Sequence, residues 1–94
     1  MFDVAIQNDD EVLLSGRFDA SQQDKVDNIL NQINKNCTVN FKDLQYISSA
    51  GLGSLLKAHI RLKELGYSIK LVNMNSHVRE VFKYSGLDKV FQID

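Results

Sequence analysis

Residues 46–56, YISSAGLGSLL, place two serines and two glycines between an apolar pair, Tyr46 and Ile47, and an apolar run. Upstream, CTVNF (37–41) puts Cys37, Val39 and Phe41 on one face of a short strand, and KDLQYI leads from it into the serines. Downstream, the period becomes helical from Ser49 to Leu65. Leu52, Leu55, Leu56, Ile60 and Leu62 fall within one broad arc at about 100° per residue. Gly66 follows, where a helix C-terminal glycine belongs.

Working outward, FDVAIQ (2–7) and VLLSGRF (12–18) alternate about a turn signal, NDDE, and read as a hairpin. Phe2, Val4 and Ile6 face one way in the first strand, and Val12, Leu14 and Phe18 in the second. Asp19 can cap the next helix, with Gln22 completing a capping box. Val26, Ile29, Leu30 and Ile33 make residues 20–34 an amphipathic helix. YSIKLVNM reads as a strand. Asn75 or Ser76 caps a third helix, with Val78, Val81 and Phe82 inward and Gly86 at its end, and KVFQI closes as a last strand. The order is β-β-α-β-α-β-α-β. It implies an α/β fold with a mixed, mostly parallel sheet and one antiparallel hairpin strand.

The totals set bounds. Ninety-four residues, 1–94, make one domain. A net charge of -1 argues against a nucleic-acid binder, which carries a basic face. No apolar run approaches the roughly 18 residues of a membrane span. The N-terminal residues lack the basic and apolar regions of a secretion signal, so the expected location is the cytoplasm. The one cysteine, Cys37, cannot form an internal disulfide, and its strand position makes it a buried, inert thiol. Proline is absent, and there is no linker or repeat.

Three chemistries compete for residues 46–56. A phosphate loop needs Lys-Ser/Thr after its second glycine, where the chain has Ser54-Leu55, and a dinucleotide fingerprint needs a glycine at position 56, which is Leu56. A nucleophile elbow needs a serine between glycines, and here Ser48, Ser49 and Ala50 precede both. A helix N-cap fits: Ser48 or Ser49 would accept the first free N–H groups, and the glycines would let the helix pack closely. The two histidines add no base. His59 lies within the apolar arc of its helix, and His77 has no carboxylate to orient it. One cysteine and two distant histidines form no metal set, and no cofactor signature is present.

Across nearly its whole length the chain resembles a STAS domain of the bacterial anti-sigma factor antagonist (anti-anti-sigma factor) type. NFKDLQYISSAGLGSLL carries the resemblance, supported by LSGRFDA and VREVFKYSGLDKVFQI. The resemblance implies a non-enzymatic regulatory module that works by partner switching. It would bind a GHKL-type serine kinase that is also the anti-sigma factor, be released by phosphorylation, and be restored by a cognate phosphatase. It places the phosphoacceptor two residues before the first glycine, at Ser49, with Ser48 as the lower-ranked candidate. Ser48 stands where many members carry Asp, and position 50 is Ala50.

On that basis the partner surface is expected to comprise Asp19, Ser48, Ser49, Ala50, Gly51, Gly53, Ser54, Lys57 and Arg61. Ser49, Gly53 and Lys57 stand at i, i+4 and i+8 on one flank of the helix. Gly51 and Gly53 would let a partner approach closely. Asp43 is expected to fix a turn. An alternative reading is a cytoplasmic STAS subunit docked on the ATPase of a lipid-transport ABC system, constitutively bound and needing no kinase. Ligand sensing has no pocket signature, and enzymatic activity has no paired carboxylates or triad behind it. A monomer is expected. A dimer is the alternative if the short end after the last strand leaves an apolar patch exposed.

Overall fold

The computed structural model describes residues 2–8 and 10–94. Val12, Leu14 and Phe18 alternate along β2 (Glu11–Phe18) and are fully buried. β1 (Asp3–Gln7) pairs antiparallel with it, from Asp3 opposite Ser15 to Gln7 opposite Glu11. In the connecting turn Asn8 has φ 54°, and Asp9 lies outside the described residues. Phe2 and Val4 are buried as the alternation requires, but Ile6, near the end of an edge strand, is 41% exposed.

The central strand is longer than its sequence suggests. β3 runs from Cys37 to Ile47 and pairs parallel with β2. Its partners step from Asn40 to Asp43 while β2 steps from Leu13 to Ser15, and from Leu44 to Tyr46 while β2 steps from Gly16 to Arg17. Each irregularity adds one residue to β3 and turns the side-chain phase over. The buried set is therefore Cys37, Val39, Phe41, Leu44 and Ile47. This corrects the expected short strand ending before an Asp-Leu turn: Asp43 is an exposed strand residue at a bulge. Two asparagines close backbone groups along the irregular segment. Asn40 Oδ1 accepts from Lys42 N–H at 3.0 Å, and Asn75 Nδ2 donates to Leu44 C=O at 3.0 Å.

β4 (Ile69–Val72) pairs parallel with the first half of β3, and β5 (Gln92–Ile93) with β4. The strand order is β1-β2-β3-β4-β5. Each crossover steps one strand in the same direction. Right-handed connections therefore place α1 (Gln23–Leu30), α2 (Ser49–Glu64) and α3 (Ser76–Ser85) over one face. One core lies between them and the sheet, with Phe82 edge-on to Phe41 at 5.9 Å. The other face presents Arg17 and half-buried Leu13, Ser15, Thr38 and Val72.

The helix ends show where local signals prevailed and where they did not. The helix expected over 20–34 is a 3-10 turn, Ala20–Gln22, followed by α1, which stops at Leu30. Asp19 caps that 3-10 turn, and the Gln22 side chain donates to Ser21 Oγ, so the expected capping box does not form. Ile33 is still buried, held beyond the helix by a bond from its N–H to Leu30 C=O at 3.2 Å. Gly66 follows the C-cap of α2, Leu65, and its φ of 89° suits a residue without Cβ. Gly66 N–H reaches Lys63 C=O, and Tyr67 N–H reaches Leu62 C=O at 2.8 Å. Asn75 caps α3 by accepting Val78 N–H at 2.8 Å, and Gly86 ends it at φ 78°. The closing strand is shorter than KVFQI suggests, because residues 87–89 form a 3-10 turn.

Candidate functional site at the start of α2

The site is built where β2 and β3 deliver their C-terminal ends. Ser48 N–H donates to Phe18 C=O at 2.8 Å, which ties the β3–α2 junction to the end of β2. Ser48 has extended backbone (φ -89°, ψ 170°) and its Oγ accepts Gly51 N–H at 3.2 Å. Its carbonyl accepts Leu52 N–H at 3.0 Å. Ser48 is thus the N-cap, half-buried and committed by both backbone and side chain.

Ser49 is the first residue of α2 and is exposed. Among the described residues its hydroxyl has no hydrogen-bond partner. The adjacent serines therefore differ in kind: one hydroxyl caps, the other faces solvent beside the free N–H groups of a helix start. Ala50, beside it, is half-buried.

The glycines also separate. Gly51 is buried, and a Cβ there would stand 2.7 Å from Ile47 Cγ1 and 3.2 Å from the Phe18 ring. Its lack of a side chain serves the packing of α2 on the sheet, which corrects the expectation that it opens the site to a partner. A Cβ on Gly53 would meet nothing within 4 Å, so packing within the domain places no demand on its missing side chain.

Three other expected surface residues are placed as follows. Ser54 is 1% exposed, with Oγ buried and unpartnered, so it is not on the partner surface: its position turns it into the core beside Leu55. Arg61 is a structural clamp. Its guanidinium donates to Leu30 C=O at 2.8 Å, to Ile33 C=O, and to Asn34 Oδ1 at 3.0 Å, and so closes the end of α1. Lys57 remains exposed but is paired with Asp27 at 2.7 Å. Asp19 is exposed at the head of the 3-10 turn that packs against α2, and its carboxylate accepts Ser21 N–H at 3.1 Å.

The outward face of α2 differs from the arc read in the sequence. Leu52, Leu55, Ala58 and Leu62 face the core, whereas Ile60 is 50% exposed and Leu56 half-buried. Ser49, Gly53, Leu56 and Ile60 follow one another along the solvent side. His59 is half-buried as expected, its ring 5.0 Å from that of Phe91.

One pair near the site has no signal in the sequence. Arg17 and Tyr46 are opposite one another across β2 and β3, and the Arg17 guanidinium lies 4.4 Å from the Tyr46 ring centroid. Their alignment depends on the bulges of β3, which nothing in the alternation announces.

Among the described residues no group of three or more His, Cys, Asp or Glu side chains could hold a metal ion, and no helix is long and apolar enough to cross a membrane. Cys37 is buried, and burial, with a smaller contribution from the Asp10 charge, pushes its thiol up to about 11.

Comparison with known proteins agrees with this architecture. A stretch of 50 residues is 40% identical to BtrV of Bordetella bronchiseptica, whose name describes it as a candidate anti-sigma factor antagonist. That stretch covers 53% of this chain and 43% of the relative's length. Among solved structures, a candidate anti-sigma factor antagonist from Thermotoga maritima superposes with a TM-score of 0.79 at 23% identity, over 98% of this chain and 84% of that one. The antagonist SpoIIAA in its unphosphorylated form gives 0.66 at 20% identity, over 100% and 87%. The phosphorylated form of SpoIIAA, a cell fate determinant of Bacillus, gives 0.65 at 22% identity, over 100% and 91%. These likenesses establish a shared fold. The family model described as "Mlab, STAS domain" matches residues 3–93, and the chain belongs to the STAS domain family.

Proposed function

We propose that this STAS domain is a non-enzymatic regulatory switch of the anti-sigma factor antagonist type, acting in the cytoplasm as a monomer. It binds a GHKL-type serine kinase that doubles as an anti-sigma factor, and phosphorylation of Ser49 releases it. A cognate phosphatase resets the switch. In the modifying step Ser49 Oγ bonds to the γ-phosphorus of ATP, the bond to the β-phosphate oxygen breaks, and the kinase takes the hydroxyl proton.

The observation that carries this reading is the division of labour between the two serines. Ser48 Oγ is engaged as the cap, whereas Ser49 Oγ faces solvent. A phosphate of roughly -1.5 to -2 charge at Ser49 sits where helix N–H groups and the dipole favour an anion. It therefore leaves α2 folded and acts at the interface, through charge and bulk on a close-fitting surface. The likeness to an antagonist known in unphosphorylated and phosphorylated forms supports the same reading.

The test is binding to the purified kinase partner with and without ATP. Ser49→Ala stays folded and bound in both conditions, and Ser49→Asp stays folded and binds weakly. Unfolding of Ser49→Asp would contradict a switch confined to the interface. A second reading, an accessory subunit on an ABC transporter ATPase, is kept because the matching family model is named Mlab rather than for an antagonist. Copurification with an ATPase, unaffected by Ser49→Asp, would favour it.

A further inference from the structure

Of the three arginines, two are tied to the fold. Arg61 clamps the end of α1, and Arg79 Nη2 donates to the Asp94 carbonyl at 3.3 Å. Arg17 differs. Among the described residues its guanidinium has neither a carboxylate within 4.0 Å nor a hydrogen-bond acceptor, and the side chain is exposed. Its one contact of note is the face of the Tyr46 ring.

That contact holds the guanidinium over the ring without using the donors. A guanidinium drawn to a ring face by cation–π attraction keeps its N–H groups free, and that planar fork matches a carboxylate. The stack also limits the rotamers of a long side chain, so less freedom is lost when an anion binds. Arg and Tyr are the residue types that dominate interface energetics. The pair also stands at the site. Arg17 precedes Phe18, whose carbonyl holds Ser48 and whose ring lies under Gly51, and Tyr46 is two residues before Ser48. Alternation places both on the helix-free sheet face, so a partner reaching them from Ser49 must wrap over the end of β2 and β3.

We infer that the Arg17–Tyr46 stack is a second anchor for the partner that contacts Ser49, and that it selects an acidic side chain on that partner. The inference rests on the switch reading for the existence of a partner at Ser49. It adds a contact on the opposite sheet face and a charge requirement. Phosphorylation then acts at one edge of the interface, while Arg17 requires an acidic side chain at the other.

The test uses a photo-crosslinking residue in the full chain, in cells of the source organism, at position 53 for the Ser49 helix or position 15 for the sheet face beside Arg17. Adducts with the same protein from both positions are expected, the position-15 adduct mapping to a segment containing Asp or Glu. Arg17→Glu is expected to lower that adduct's yield about tenfold or more, because an attractive contact becomes a like-charge one. Lysine in place of the mapped acid is expected to restore it. Tyr46→Phe keeps the ring and the adduct. Circular dichroism of Arg17→Glu and of Arg17→Gln establishes that folding is intact. An adduct from position 53 alone would overturn the second anchor and leave the switch standing. A position-15 adduct indifferent to Arg17→Glu would overturn the acidic selection, and no adduct from either position would overturn both readings.

Discussion

Gly51 and Gly53 lie two residues apart in the first turns of α2, and alanine at the two positions should have opposite effects. In an open helical site Gly→Ala is favourable by about 0.5–1 kcal/mol, because the backbone loses less freedom on folding. Gly53 is such a site, since an added methyl group would have nothing within 4 Å of it. At Gly51 the same methyl would stand 2.7 Å from Ile47 Cγ1 and 3.2 Å from the Phe18 ring. Both neighbours are buried, Ile47 2% exposed and Phe18 0%, and Ile47 is β-branched and stiff, so neither yields easily. Overpacking of this kind costs about 1–3 kcal/mol, which exceeds the helical gain at a position so near the helix start. The expected outcome is a loss of about 1–2 kcal/mol for Gly51→Ala and a gain of about 0.5 kcal/mol or more for Gly53→Ala. Urea unfolding with unchanged m-values reads both, and in a chain of this size each kcal/mol moves Tm by roughly 4–8 °C. Equal shifts of the same sign would refute the contrast between a packed Gly51 and an unpacked Gly53.

Three further outcomes follow from the same geometry. Ser48→Ala should cost about 1 kcal/mol for the lost cap, whereas Ser49→Ala should stay within about 0.5 kcal/mol of wild type in denaturant unfolding. Arg61→Ala should cost about 2 kcal/mol by leaving the carbonyls at the end of α1 without their charged donor, with faster amide exchange in residues 28–33 as the local signature. Folding keeps the Cys37 thiol neutral up to about 11 against an ordinary value of 9.0, so the folded state holds more protons than the unfolded one between these values. That contribution, on the order of 2 kcal/mol, is complete below pH 9 and is lost as pH rises through about 11, which stability measured from pH 8 to 11 would reveal as a downward slope.

Much of the fold is legible in the sequence because its signals are local. Alternation marks β2, the apolar period marks α2, and Asn75, Gly66 and Gly86 punctuate the helices where they stand. What escapes is set by partners distant in sequence. α1 stops early because Arg61, thirty-one residues on, takes Leu30 C=O. β3 hides behind Lys42 and Asp43, which look like a turn, because only pairing with β2 exposes the bulges that restore its phase. At the site, the residues alone leave Ser48 and Ser49 as alternative caps and only the family resemblance singles out Ser49; the structure adds that Ser48 is the committed cap. Ser54 and Ile60 exchanged expected places: the polar residue lies inward and the apolar one outward, a distinction of helix rotation that composition does not carry. Arg17 and Tyr46, twenty-nine positions apart, meet only through the register.

The most direct test is intact mass with site mapping after incubation with ATP and a lysate of the source organism, wild type beside Ser49→Ala. One added phosphate is expected, located on Ser49 and missing from the variant. A phosphate on Ser48, or none on wild type in a lysate whose kinases are active on other substrates, would contradict a switch at Ser49.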